Sequence, residues 1–352
     1  MPGRANDQKS HAMTSRFKHI FEDRTVLCDG AMGTSLRAQG VSFDRCYDEL
    51  NLSAPVLIQS IHEEYLLAGA EIIETNTFGA NSIRLSRHGL QHRVFDINRA
   101  GAEIARRAAQ IRGKQPARAS VAGAIGPLGV RLAPNGTVTP LDAFAAFSEQ
   151  IRGLAAGGVD MLIIETVTAL QEVEQALAAA LRIAPDLPVM VMVTVDERGN
   201  CLDGSTPEMA ANRCAEWGAD AIGCNCSNGP AIVLQALKRM AAVTDLPLAA
   251  MPNAGLPRVV NGRPAYDCSP QQMASFARSF VDAGVQFLGG CCGTTPDHIR
   301  EIASALRQSD AQKLNAGNYR VTTDRIGEVL PSAPNNTLAG TGTGEGTRFG
   351  DI

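Results

Sequence analysis

The sequence predicts an α/β fold of one particular kind, a closed (β/α)8 TIM barrel. Three observations point to it. Eight short apolar, β-branched runs recur between residues 20 and 308, nearly every run is followed by an amphipathic helical stretch, and a polar or glycine-rich signal sits directly after almost every run. An open doubly wound sheet would gather its chemistry at one switch point. Here the signals are spread over Asp29-Gly30, Asn76-Thr77, Gly126-Pro127, Glu165-Thr166, Asn225-Cys226, Pro252-Asn253 and Gly290-Cys291-Cys292. In a barrel those positions share one rim, the C-terminal face where such folds place their sites.

The strands are expected at 25–28, 71–74, 120–125, 160–164, 188–195, 219–224, 246–251 and 285–288. The helices between them show their period directly. Phe144, Phe147, Ile151 and Leu154 recur at three- to four-residue spacing within 143–156, as do Leu170, Val173, Ala176 and Leu177 within 169–183. Glycines close the helices before three of the strands, at 69, 157–158 and 284, where a left-handed C-cap suits the turn into the sheet.

Composition bounds the rest. The 352 residues are 45% hydrophobic and 19% charged, with 32 basic against 36 acidic side chains. That is enough apolar surface for a large core, and no basic excess exists to neutralise nucleic-acid phosphates. No apolar run approaches the roughly 20 residues that span a bilayer, and residues 1–20 carry charges without the apolar core of a secretory signal. The chain is therefore expected to be cytoplasmic, with neither nucleic acid nor membrane as partner. Residues 1–19 read as a flexible N-terminal segment and 20–308 as the barrel. Residues 309–352 read as a disordered tail, since the stretch 335–350 holds five glycines and almost nothing to bury.

Nine cysteines without a secretory signal suggest metal ligands, reactive thiols or buried small side chains rather than a disulfide framework. The strongest chemical signal is Gly289-Gly290-Cys291-Cys292-Gly293-Thr294-Thr295-Pro296, after the eighth strand. Adjacent cysteines in a continuing strand would point to opposite faces. Flanking glycines let the chain turn so that both sulfurs converge, and Thr295 with Pro296 opens a helix. A third cysteine ends the sixth strand in Gly223-Cys224-Asn225-Cys226, 65 residues before Cys291. There Cys224 competes with Cys226, and one of the two is expected to face inward. Three thiolates with one vacant position describe a catalytic zinc site, and the soft donors suit zinc far better than magnesium or manganese. With a net charge of -1 such a centre activates water poorly and a substrate thiol well. Cys28, Cys46, Cys201, Cys214 and Cys268 are expected to pack. His298 is the alternative fourth ligand, which would close a structural Cys3His site, and a metal-free redox dithiol at 291–292 is a further reading.

Two carboxylates also end strands without basic neighbours, Asp29 and Glu165. On one rim they would hold a substrate ammonium, with the amides of residues 30–33 free for its carboxylate. The plainer readings are a helix cap for Asp29 and a rim hydrogen bond for Glu165. The five lysines, Lys9, Lys18, Lys114, Lys238 and Lys313, end no strand, which argues against Schiff-base chemistry. No phosphate-binding loop and no His-Glu-x-x-His is present.

These motifs, with Glu74-Thr75-Asn76-Thr77-Phe78-Gly79-Ala80-Asn81, Gly126-Pro127-Leu128-Gly129 and Pro252-Asn253-Ala254-Gly255-Leu256-Pro257, resemble the homocysteine S-methyltransferase family over residues 20–308. The resemblance implies a zinc-dependent methyltransferase that converts L-homocysteine to L-methionine on a homocysteine-binding barrel. It implies zinc held at Cys226, Cys291 and Cys292, and a substrate amino group bound at Asp29 and Glu165. Thr75 and the Gly30 backbone would lie close to the substrate, and Asn253 would approach the metal when substrate is absent. Residues 75–81 and 252–257 are similar to the first module of cobalamin-dependent methionine synthase. The stretch 44–51 is similar to bacterial fusions with a methylenetetrahydrofolate reductase. The residues after 308 are too few for a cobalamin, folate or reductase domain, so the methyl group is expected from a separate cobalamin- or folate-carrying protein, S-methylmethionine or betaine. The alternative is a non-catalytic zinc-bearing barrel acting as scaffold or sensor.

Overall fold

The computed structural model describes Phe17 and residues 24–111, 119–256, 258–260 and 263–308. The segments expected to be flexible, 1–19 and 309–352, lie outside the described residues apart from Phe17. Seven strands run β1 Val26–Leu27, β2 Ile72–Glu74, β3 Ser120–Ile125, β4 Met161–Val167, β5 Val189–Val193, β6 Ala221–Cys226 and β7 Leu248–Pro252. An antiparallel hairpin follows, β8 Arg258–Val260 with β9 Arg263–Ala265, and then the last barrel strand, β10 Val285–Leu288. The hairpin is absent from the sequence reading, because strands of three residues leave too little pattern to see.

The eight long-range strands pair in parallel in the order β1-β10-β7-β6-β5-β4-β3-β2. A parallel bridge between Cys28 and Ile72 closes the circle, with Glu71 N donating to Leu27 O at 2.7 Å and Asp29 N to Ile72 O at 3.0 Å. The fold is the expected (β/α)8 TIM barrel.

Several expected boundaries move, three of them for a clear local reason. The helix Pro140–Ala156 starts three residues before 143, because Thr139 accepts from the Asp142 amide at 3.1 Å in a capping box and Pro140 pre-sets the first turn. Strands β4 and β6 run past 164 and 224, because the ladder continues into the polar residues, pairing Asn225 with Met251 and Cys226 with Pro252. The three helix-closing glycines are left-handed as expected, with φ of 120° at Gly69, 82° at Gly158 and 85° at Gly284.

Alternation along the strands divides the core into two layers. Val26, Cys28, Met161, Ile163, Met190, Met192, Met251 and Phe287 fill the barrel interior. Leu162, Ile164, Val191, Ile222 and Cys224 face outward against the helices. Flexible methionines suit the irregular space of a barrel centre. Among the described residues no helix is long and apolar enough to cross a membrane.

One buried group gives the barrel a pH dependence. His62, on the helix Pro55–Ala68, is fully buried, and neither ring nitrogen has a hydrogen-bond partner. Burial pulls its pKa from 6.5 down to about 4. The folded chain thus resists a proton that the unfolded chain accepts. Stability is whole above about pH 6.5 and falls as pH drops from 6.5 towards 4, by about 3 kcal/mol from this group. Urea unfolding at pH 7 and pH 4.5 should show that part of the acid loss disappearing in His62→Leu. An equal loss in both proteins would refute the assignment.

Candidate active site

The site follows from the same alternation. Met161 and Ile163 face the barrel axis, so Glu165 emerges at the top of their row. On β6, Ala221 faces inward and Cys224 outward into the helix layer, which puts Asn225 on the inner row. Cys226 shares the parity of Cys224 and would also face out, so alternation alone does not choose between the two cysteines. The backbone chooses. Cys226 and Ser227 are left-handed, with φ of 51° and 57°, and this bend brings the Cys226 sulfur round to the rim. Thr166, the rim residue of β4, is left-handed as well, at φ 60°. Such conformations cost non-glycine residues energy and cluster where a site demands them.

The cysteine pair is fixed from the other side. Gly290 N donates to Asp29 O at 3.0 Å and Cys291 N to Pro252 O at 2.9 Å. Thr294 turns back with its amide and hydroxyl on Cys291 O, at 3.1 and 2.7 Å. Gly293 has φ 83°, and a Cβ there would stand 2.2 Å from the Tyr266 ring, so only glycine allows the turn. The sulfurs of Cys226, Cys291 and Cys292 lie within 4.8 Å of one another, with Cys226 and Cys291 2.8 Å apart. Three thiols this close do not share protons evenly. Hydrogen bonds from Cys226 and then Cys291 hold Cys292 down at about 3. Cys291 is pushed well above the ordinary thiol value by its bonds to Cys226 and Cys292.

His298 is not part of this centre. Its Nδ1 faces the Thr295 amide and hydroxyl at 3.1 and 2.9 Å, and its Nε2 faces Cys268 O at 3.0 Å. Both ring nitrogens are occupied in the helix cap, which rules out the Cys3His arrangement. Cys28, Cys201 and Cys214 are buried as expected. Cys46 and Cys268 are partly buried, and Cys46 lines the outer part of the cavity described next.

A cavity of about 400 Å³ opens beside the sulfurs, walled by Asp29, Gly30, Glu74, Thr75, Glu165 and Asn225 with all three cysteines. Asp29 and Glu165 are 4% and 8% exposed. Asp29 does not cap the first helix, whose cap is Ala31, and its Oδ2 instead accepts from Glu74 N at 3.0 Å. Burial raises the Asp29 carboxyl well above its usual range and pushes Glu165 up to about 7, with the neighbouring Cys292 adding to the latter. Gly30 lines the wall, and a Cβ there would meet Thr294 Oγ1 at 2.7 Å and the Tyr65 ring at 2.8 Å. Of the amides expected to be free over 30–33, that of Ala31 is taken by Thr294 Oγ1 at 3.2 Å. The Thr75 hydroxyl is spent inside the fold, 2.6 Å from Thr77 Oγ1 and accepting from Ala124 N at 3.0 Å, so Thr75 meets the cavity without a free hydroxyl.

Asn253 lies elsewhere, in a shallower depression shared with Cys226, Ser227 and Asp196. Its amide donates to Cys226 O at 3.1 Å and its Nδ2 to Ser227 O at 2.9 Å, while its buried Oδ1 has no partner.

Three site residues escape the sequence reading as individuals. Asn225, fully buried, is the hub between the cysteine strand and the carboxylate strand. Its Nδ2 donates to Glu165 Oε2 at 3.0 Å and to Thr166 Oγ1 at 2.8 Å, and its Oδ1 accepts from Thr166 N at 2.9 Å. Thr166 and Glu74 are the others. The available signal was the one that exposed Glu165, namely a polar residue ending an apolar strand.

Known proteins resemble this chain along most of its length. It is 34% identical over 313 residues to a methionine synthase of Mycobacterium tuberculosis, which covers 84% of this chain and 26% of that protein. It is 32% identical over 330 residues to the methionine synthase of Mycobacterium leprae, covering 91% and 27%. The chain thus spans about a quarter of the length of these relatives. The crystal structure of the Escherichia coli homocysteine methyltransferase MmuM in an oxidized form shares the fold, with a TM-score of 0.71 at 24% identity over 82% of this chain and 98% of that one. Residues 26–306 match the model of the homocysteine S-methyltransferase family, and to that family the chain belongs.

Proposed function

We propose that this chain transfers a methyl group to the thiol of L-homocysteine, giving L-methionine, with zinc held by Cys226, Cys291 and Cys292. The observation that carries the reading is the meeting of three sulfurs from β6 and the β10 loop beside a carboxylate-lined cavity. The donor set fits zinc: all soft, all convergent, and three in number, as in a site that keeps one position for substrate. Asn253 lines the neighbouring depression that shares Cys226, and its unpartnered buried Oδ1 is a candidate to approach the metal when substrate is absent. When bound, zinc supplies a Lewis acid that keeps the homocysteine sulfur deprotonated at neutral pH, where a free thiol near 8.5 is mostly protonated.

The chain's own part is positioning. Asp29 and Glu165 face the cavity as acceptors for the substrate ammonium, and Asn225 fixes the Glu165 head relative to the sulfurs. Holding the acceptor sulfur this way leaves a displacement that needs only contact and alignment with the donor carbon. The scaffold alternative requires a saturated centre, and the open cavity beside the sulfurs disfavours it. A donor panel tests the proposal. Zinc-loaded protein is incubated with homocysteine and, in turn, S-methylmethionine, betaine, and methylcobalamin free or on a carrier protein. Methionine should form with at least one donor and stop when zinc is removed. No methionine from any donor, with zinc fully bound and added homocysteine contributing no sulfur to the metal, would favour the scaffold.

A further inference from the structure

We infer that Glu74 is a specificity-determining residue, a third carboxyl that joins Asp29 and Glu165 in a tripod around the substrate's α-ammonium group. This rests on the homocysteine reading and deepens it. Glu74 ends β2, and its backbone amide holds Asp29 Oδ2 at 3.0 Å. Its side chain lines the cavity with the cysteines and is hydrogen-bonded to the Glu165 carboxyl. The three carboxyls therefore come from the ends of β1, β2 and β4, with β3 between the last two around the barrel, and line one space.

Among the described residues none of the three carboxyls is ion-paired, although Arg45, Arg84, Arg87 and His88 line other parts of the same cavity. No lysine, arginine or histidine stands among the groups that shift any of the three; Glu165 raises Asp29, and Glu165 and Asp29 both raise Glu74, while the hydrogen bond from Glu74 lowers Glu165. A buried group of this kind is costly unless protonated or paired. An ammonium has three N–H donors and no acceptor, which matches three carboxyl heads one to one. A plain structural role would be a proton shared between Glu74 and Glu165, and that bond would survive with a glutamine at position 74. The negative charge available to a cation would not.

Glu74→Gln therefore separates the two roles. Calorimetry on the zinc-loaded full chain compares L-methionine, the product, with 4-(methylthio)butanoate, the same skeleton without the amine. Wild-type protein should prefer methionine. Glu74→Gln should bind methionine about 10- to 100-fold more weakly, the range of one charge-assisted hydrogen bond, and bind the butanoate unchanged, so the preference shrinks by the same factor. Glu74→Asp should restore part of it. An unchanged preference in Glu74→Gln overturns the inference, as does an equal loss for both ligands, which would mark a structural role. Wild-type protein that binds neither homocysteine nor methionine would overturn the homocysteine reading itself.

Discussion

Cys291→Ser and Cys292→Ser should each bind essentially no zinc and lose at least about 10³-fold in turnover, equivalent to roughly 4 kcal/mol of transition-state stabilisation, while the barrel stays folded. The proposed centre has three thiolate donors and, among the described residues, no fourth cysteine or histidine to compensate, and a serine hydroxyl is a hard, neutral donor in a soft thiolate set. The sulfurs of the pair are only partly buried and belong to neither core layer, so removing one leaves no cavity in the packing. Cys226→Ser should behave alike. Cys224→Ala is the control. That side chain, two residues away, sits in the outer core with Ser227 Oγ at 3.6 Å, and its loss should cost stability and leave zinc stoichiometry at one. Metal content by elemental analysis, with circular dichroism on the same samples, decides the matter. Full zinc in either serine variant, or zinc lost in Cys224→Ala, would mean the wrong sulfurs have been identified.

That contrast also shows where the sequence is legible and where it is not. Period and strand-end chemistry were enough for the eight strands, because β-branched runs followed by Asp29, Glu165 or Cys291 leave a pattern within a few residues. They were enough to group Cys291 and Cys292 with one cysteine at the end of the sixth strand, and the family resemblance supplied Cys226 as that one. The choice between Cys224 and Cys226 was not legible from alternation, since residues two apart share a face. It depends on left-handed backbone at Cys226 and Ser227, which only the surrounding rim enforces. His298 was ambiguous for a similar reason. A histidine six residues past a cysteine pair can ligate or cap, and the partners that make it a cap, Thr295 and Cys268 O, are set by how the helix meets the loop after β9. Glu74 and Asn225 were visible as polar strand ends, but their roles depend on contacts across strands 45 and 60 residues away in sequence.

Asn225→Asp should be the most damaging single-atom exchange in the site outside the cysteines. The amide serves both halves of it, directly and through Thr166, whose hydroxyl lies 3.7 Å from Cys226 Sγ. One nitrogen donates to Glu165 and Thr166, while the oxygen accepts from the Thr166 amide at 2.9 Å and lies 3.3 Å from the Thr194 hydroxyl. Aspartate keeps the acceptor bonds and turns the donor into a second carboxyl oxygen 3.0 Å from Glu165 Oε2. Two buried carboxyls at that separation cannot both ionise, so one takes a proton or the Glu165 head swings away. Either way the ammonium site loses an ionised, fixed acceptor. The KM for homocysteine should rise by about 10²-fold, with stability lower by roughly 2–4 kcal/mol from the lost buried donors. Zinc should stay bound, because Nδ2 lies 3.9 Å from Cys291 Sγ and is no ligand. The split between retained metal and lost substrate affinity is the diagnostic result. Near-wild-type KM with an unchanged urea midpoint would show that Glu165 is oriented by something other than Asn225, and the link drawn between the sulfur strand and the carboxylate strand would fail.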